Sequence, residues 1–171
     1  TTFRSLFFAS VVAVCVVVGP RLSAPFVWDD LTAVAYNGRL AQAGLGDLFS
    51  SRYFEVAQEF SYRPLSTFLH WAGLKMFGAA PLGHRAVELA LHLLAAGLLV
   101  AAFRLWGAGA DAAYAAGALF VLHPLHLETL FCVAFNEEIL VAVLLLAAWL
   151  ARMRWQEEGG GALLAASAGC F

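Results

Sequence analysis

Apolar runs that could cross a membrane alternate with one long polar and aromatic stretch, and this alternation constrains the fold more than any other feature of the chain. The runs occupy residues 3–19, 84–106, 112–122 and 137–152, and a fifth begins at residue 162 and reaches the last residue, 171. A helix needs ~20 apolar residues to cross a bilayer, and hydrocarbon leaves each segment to satisfy its own backbone N–H and C=O groups. The expected fold is therefore all-α: about four transmembrane helices plus a truncated fifth, with a long first loop over residues 20–83. Composition agrees, with 62% of residues hydrophobic and 13% charged, where soluble domains run to about half and a quarter. The first run is short and starts beside Arg4, so a secretory signal peptide is its alternative. The apolar runs that follow favour a membrane helix.

A net charge of −2 without any Lys/Arg cluster argues against a nucleic-acid partner. Cys15, Cys132 and Cys170 stand far apart in apolar sequence, with no metal or redox spacing, and read as packing residues. The chain opens on Thr1 instead of Met and stops inside an apolar run, which sets the expectation of an N-terminal part of a longer protein. Residues 159–161 are glycines and read as a linker. Arg4, Arg104, Arg152 and Arg154 fall on one side of the membrane if the helices alternate, which makes that side cytosolic by the positive-inside rule. The loop over residues 20–83 then faces outward. It is too polar for hydrocarbon and too aromatic for a disordered linker, and stretches 31–40 and 65–77 read as helices lying at the interface.

Several polar groups could carry chemistry, and each has a structural alternative. Asp29 and Asp30 follow the first run directly, a pair suited to general-base work or cation binding; alternatively Asp30 caps a helix beginning at Leu31. Tyr62 and Arg63 precede Pro64, where a helix start favours phosphate and a guanidinium can hold it with two hydrogen bonds; the alternative is an arginine reaching to lipid headgroups. His84, Glu88 and His92 share one helix face, and an acid inside a span points to function unless it pairs locally with His84, Arg85 or His92. His123, His126 and Glu128 surround Pro124 and could hold a metal, although the zinc-protease pattern is missing; the alternative is a broken helix whose imidazoles meet water. Asn136, Glu137 and Glu138 read as the capped, acid-rich start of the next helix. The loop after the first span and the break after the third should open on the same face, so Asp29, Asp30, His123, His126 and Glu128 are expected to share one pocket.

In this order, FVWDD (residues 26–30), YRPL (62–65), GHRAVELALH (83–92), FVLHPLHLETL (120–130) and FNEEIL (135–140) resemble the GT-C superfamily of membrane glycosyltransferases. They resemble most the TMTC-type protein O-mannosyltransferases, which carry tetratricopeptide repeats after the membrane part, and their bacterial relatives. Glu88 departs from the family pattern, where Asn is expected, as does Leu127, where Thr is common. The resemblance implies a GT-C-like fold, a polyprenyl-phosphate sugar donor and inverting transfer to a hydroxyl acceptor on the outer or lumenal side, with mannose and protein Ser/Thr as candidate sugar and acceptor. It also implies Asp29 or Asp30 as the catalytic base and Arg63 near the donor phosphate; the reading of the residues adds Glu128 as a catalytic candidate, Tyr62 beside Arg63 at the phosphate, and His123, His126, Glu88 and His92 around the pocket. A divalent cation is compatible with this chemistry and not required by it. The expected location is integral to a membrane: the endoplasmic reticulum of a eukaryote or the inner or plasma membrane of a bacterium. Two alternatives stand beside this reading. One is a transporter with a Glu/His path, although no repeated half is visible; the other is a non-catalytic membrane module.

Overall fold

The computed structural model describes residues 2–158 and 161–170. Gly159 and Gly160 of the expected linker, Thr1 and the terminal Phe171 lie outside the described residues. Nine α-helices form among those described, and no strand: α1 (Thr2–Val18), α2 (Gly38–Gln42), α3 (Tyr53–Ala57), α4 (Pro64–Phe77), α5 (Pro81–Leu105), α6 (Ala110–Leu122), α7 (Leu127–Phe131), α8 (Asn136–Glu158) and α9 (Gly161–Gly169). Among the described residues, three segments are long and apolar enough to cross a membrane: Thr2–Arg21, Pro81–Leu105 and Val133–Glu157. The third apolar run folds as the 13-residue α6, which at 1.5 Å per residue spans ~20 Å, short of the ~30 Å hydrocarbon thickness. It stops where Pro124 forces His123 into extended backbone.

The chain divides into two compact units. The first comprises residues 1–19, 90–125 and 139–171. Here α1 lies along α6, and Gly117 makes the close approach possible: a Cβ there would sit 2.5 Å from Val100 and 2.9 Å from the Phe7 ring. Small residues at such crossings let apolar helices gain dispersion energy where lipid supplies no hydrophobic drive. Phe8, Val12 and Val16 of α1 are exposed, as expected of a helix whose outer face meets hydrocarbon. Trp106 packs edge-on to Trp149 at 5.8 Å, and the Arg152 guanidinium lies 4.3 Å over the Trp155 ring. Aromatic and basic side chains of this kind anchor helix ends at a membrane interface.

The second unit comprises residues 20–89 and 126–138. One apolar cluster joins Leu40, Ala43, Leu48 and Val56 to Phe68, Trp71 and Leu74 of α4; another joins Phe26, Val34 and Val133. The expected continuous helix over residues 31–40 is broken. Leu31–Ala35 forms a single π turn, and the Asn37 side chain accepts from Leu40 N at 3.0 Å to start α2 afresh, because an Asn at this point competes with the helix for its backbone donors. The helix expected over residues 65–77 forms, with Pro64 in its first turn and Gly78 (φ +59°) closing it. Asp30 does not cap the turn that follows it, having helical backbone and no capping bond.

Asp30 and Arg85 are both buried, Asp30 fully, with Arg85 Nη2 3.9 Å from Asp30 Oδ2. The guanidinium also donates to the Ala24, Pro25 (2.8 Å) and Phe131 (3.1 Å) carbonyls. Asp30 Oδ1 accepts from Ala134 N at 2.9 Å and Cys132 Sγ at 3.3 Å. A buried pair broken by removing one partner strands the other charge, at a cost of roughly 3–5 kcal/mol. Arg85→Met should therefore lower the thermal unfolding midpoint sharply, while Arg85→Met combined with Asp30→Asn should recover part of the loss. Tryptophan fluorescence on heating in detergent measures both.

Candidate functional site

The second unit holds an open cavity of about 510 Å³, walled by Asp29, Thr32 and Ala33 from the first loop, residues 57–61 and Arg63 before α4, and Ala134, Phe135 and Glu137 at the start of α8. Arg63 is set by a closed hydrogen-bond circuit. Its N–H donates to Tyr53 Oη (2.9 Å), Tyr53 Oη and Thr67 Oγ1 lie 2.7 Å apart, and Thr67 Oγ1 donates to the Arg63 carbonyl (3.2 Å). The carbonyl can only accept and the N–H can only donate, so the phenol proton must point to Thr67. Tyr53 is fully buried, and burial raises its pKa, which keeps the phenol neutral.

Arg63 extends into the cavity and pairs with Glu137. Glu137 Oε2 is buried and has no hydrogen-bond partner. Glu59 is half-buried on the same wall. Burial raises its pKa first, Arg63 opposes that shift, and the like charge of Glu137 adds to it. Among the described residues, the non-glycine residues with left-handed backbone are Trp28 (φ +48°), next to Asp29, and Gln58 (φ +59°), in the wall itself. Backbone strain held at a cavity is a recurrent mark of a functional site.

The predicted site residues separate. Asp29 and Arg63 share the cavity, whereas Asp30 is buried among Arg85, Cys132 and Ala134. Burial and the neighbouring Asp30 push the Cys132 thiol up to about 12, so it acts as a donor to that carboxylate. Tyr62 is exposed and lies edge-on to Tyr53 at 4.7 Å. His126 is half-buried and Glu128 exposed, and neither lines the cavity. His123 is exposed and belongs to the first unit. There too His92 is buried, with Nε2 3.3 Å from the Val121 carbonyl and its ring stacked on Phe120. Among the described residues no three or more His, Cys, Asp or Glu converge as a metal-binding group.

Glu88 lines a separate, mostly apolar hollow of about 140 Å³ together with His70, His84 and Asn136. Its Oε2 is buried without a partner, and the local pairing with Arg85 expected as an alternative is not formed, because Arg85 is turned to Asp30 and the loop carbonyls. His84 Nε2 meets the Gly78 carbonyl and His70 Nε2 the Val133 carbonyl, both at 2.9 Å. Burial lowers the His70 pKa, so it is neutral and carries its proton on Nε2.

Sequence reasoning passed over Glu59 and gave Glu137 only a helix-end role. The one available signal was proximity: Glu59 precedes Arg63 by four residues and Glu137 sits in the FNEEIL segment.

Together the three apolar spans and the polar unit define an α-helical integral membrane protein. No family model and no solved structure matches the chain. Among curated proteins it is 30% identical over 166 residues to protein O-mannosyl-transferase Tmtc2 of Drosophila melanogaster, covering 86% of this chain and 18% of that protein. Identity to protein O-mannosyl-transferase Tmtc1 of the same organism is 30% over 139 residues, covering 78% and 16%. To protein O-mannosyl-transferase TMTC1 of Homo sapiens it is 27% over 159 residues, covering 86% and 18%. The chain is a relative of the TMTC-type protein O-mannosyl-transferases, and it spans less than a fifth of the length of these three.

The raised Glu59 pKa carries a sign. The folded state holds this proton more tightly than the unfolded chain, so stability falls as pH rises from the ordinary value of 4.5 through the raised one. Glu59→Gln should raise the thermal midpoint at about pH 7.5 and leave it unchanged at about pH 3.5, where both side chains are neutral. A pH series of melting curves for the two proteins checks this.

Proposed function

We propose that this chain forms the donor end of a GT-C-type membrane glycosyltransferase. The enzyme passes a sugar, with mannose the first candidate from its relatives' names, from a polyprenyl-phosphate carrier to a protein Ser/Thr hydroxyl. The observation that carries the reading is the presence of Asp29 and Arg63 in one open cavity of a membrane protein. The reaction needs a base and a cation in the same space. Asp29 takes the acceptor hydroxyl proton as the oxygen attacks the anomeric carbon; the bond from that carbon to the phosphate oxygen breaks, and the electron pair leaves with the polyprenyl phosphate. The phosphate gains one negative charge in this step, and Arg63 stabilises it as it develops. Attack opposite the leaving oxygen inverts the sugar. Asp30, held by Arg85, Cys132 and Ala134, fixes the loop that presents Asp29.

In a eukaryote the chain's place would be the endoplasmic reticulum membrane, with residues 20–83 on the lumenal side; in a bacterium it would be the inner or plasma membrane, with that loop outside. A cysteine placed at the exposed Gln42 should react with an impermeant maleimide added from the non-cytosolic side of sealed vesicles. Labelling only from the cytosolic side would reverse the topology and remove the site from the proposed compartment.

With the full-length protein in detergent and a panel of polyprenyl-phosphate sugars, Asp29→Asn should lower turnover by ~10²-fold or more and spare donor binding. Arg63→Lys should weaken donor binding as Arg63→Ala does, since a point charge lacks the two-pronged guanidinium. Wild-type turnover in Asp29→Asn defeats the base assignment, and full donor affinity in Arg63→Ala defeats the phosphate assignment.

A further inference from the structure

Arg63 is the one cationic side chain among the described residues lining the 510 Å³ cavity, where three carboxylates accompany it: Asp29, Glu59 and Glu137. With all ionised, the wall carries a net charge of −2, three negative against one positive. That is an unexpected lining for a site that accepts phosphate. The resolution lies in how each acid is held. Glu137 already occupies Arg63, yet the pair is partly exposed on both sides, 47% and 28%, and exposed pairs of this kind are weak enough for another anion to displace. Glu137 stays on the cavity wall when it gives up Arg63, because its backbone is fixed in the first turn of α8. Glu59 is half-buried and close enough to feel both Arg63 and Glu137. An incoming phosphate therefore exchanges one carboxylate for itself at Arg63 while remaining next to two or three negative charges.

We propose that Glu59 and Glu137 set the charge selectivity of this cavity, admitting a phosphate that carries one negative charge and rejecting diphosphates. The inference rests on Arg63 being the donor-phosphate group. A sugar phosphodiester has one negative charge, which Arg63 neutralises in place of Glu137. A prenyl diphosphate or a nucleoside diphosphate sugar brings at least one more charge and finds no second cation. Coulomb repulsion at these separations in partly excluded solvent is large enough to separate such ligands by an order of magnitude or more. The same acids oppose retention of the product, a phosphate monoester with more charge than the donor, so selectivity and product release come from one arrangement.

The test uses the full-length protein in detergent and equilibrium binding of two probes with the same short prenyl chain: the sugar phosphodiester and the diphosphate. The wild type should prefer the diester by about tenfold or more. Glu137→Gln and Glu59→Gln should each narrow that preference by about tenfold, chiefly by tightening the diphosphate. Glu138→Gln, an exposed neighbour outside the lining, should leave it unchanged and so separates a local effect from the loss of any one charge. Retained diester binding shows that each variant is folded. An unchanged ratio in both Gln variants, with the diester still bound, overturns the proposal. If Glu138→Gln moves the ratio as much as they do, the proposal is overturned in favour of general surface charge. If Arg63→Ala binds both probes as the wild type does, it is the donor-site reading that has failed, and the selectivity argument falls with it.

Discussion

A buried guanidinium organises the polar half of this protein. Arg85 reaches from the second turn of α5 to the Ala24 and Pro25 carbonyls, the Phe131 carbonyl and the Asp30 carboxylate. It thereby ties the first loop and the segment before α8 to one helix. Asp30 completes the joint by accepting from Ala134 N and Cys132 Sγ. Charges so deeply buried persist only when each is paired and hydrogen-bonded, since desolvation costs several kcal/mol per ion. The arrangement is thus specific in a way that apolar packing is not. It decides which loop residue faces the cavity: Asp30 is turned inward and Asp29 is left on the wall.

The second constraint is the neutral circuit of Tyr53, Thr67 and Arg63. It fixes the backbone of Arg63 at the entrance of α4 while leaving the guanidinium free to exchange partners. Rigid backbone beneath a displaceable ion pair suits a group that must receive and release an anion. Ser66, in the first turn of α4, adds a second tie: it donates to Asn136 Oδ1, and the Asn136 amide donates back to its carbonyl at 3.3 Å. Glu137 follows Asn136 directly, so the carboxylate that competes for Arg63 is held by the same joint that ties the first residue of α8 to α4.

Much of this was legible in the sequence, and the parts that were not share a cause. Hydropathy placed α1, α5 and α8 because a span must be apolar along its whole length, and Pro124 placed the end of α6. Pro64 likewise marked the start of α4. The helix expected over residues 31–40 failed at Asn37, where a single side chain caps a new helix and the apolar pattern on either side carries no trace of the break. Asn136 read as a helix cap by its local context, yet its partner, Ser66, lies 70 residues away. Asp30 also read as a cap, and its partners are 102 and 104 residues away. Local rules describe what a polar side chain does when no distant group competes for it.

What the sequence by itself determined is the class of protein: apolar runs whose backbone can be satisfied only as helices, separated by a polar stretch rich in aromatic and charged residues. It also supplied the short motifs that align the chain with its relatives, and the two residues, Asp29 and Arg63, on which the proposed chemistry turns. Only the tertiary structure decided that those two share a cavity, that Asp30 belongs to the scaffold and Asp29 to the wall, and that Glu59 and Glu137 crowd the single guanidinium. The physical reason is that hydrophobic burial is additive along the chain and can be read one residue at a time. The partner of a charge, and hence its role, is chosen by which distant groups arrive beside it and by how much water is left when they do.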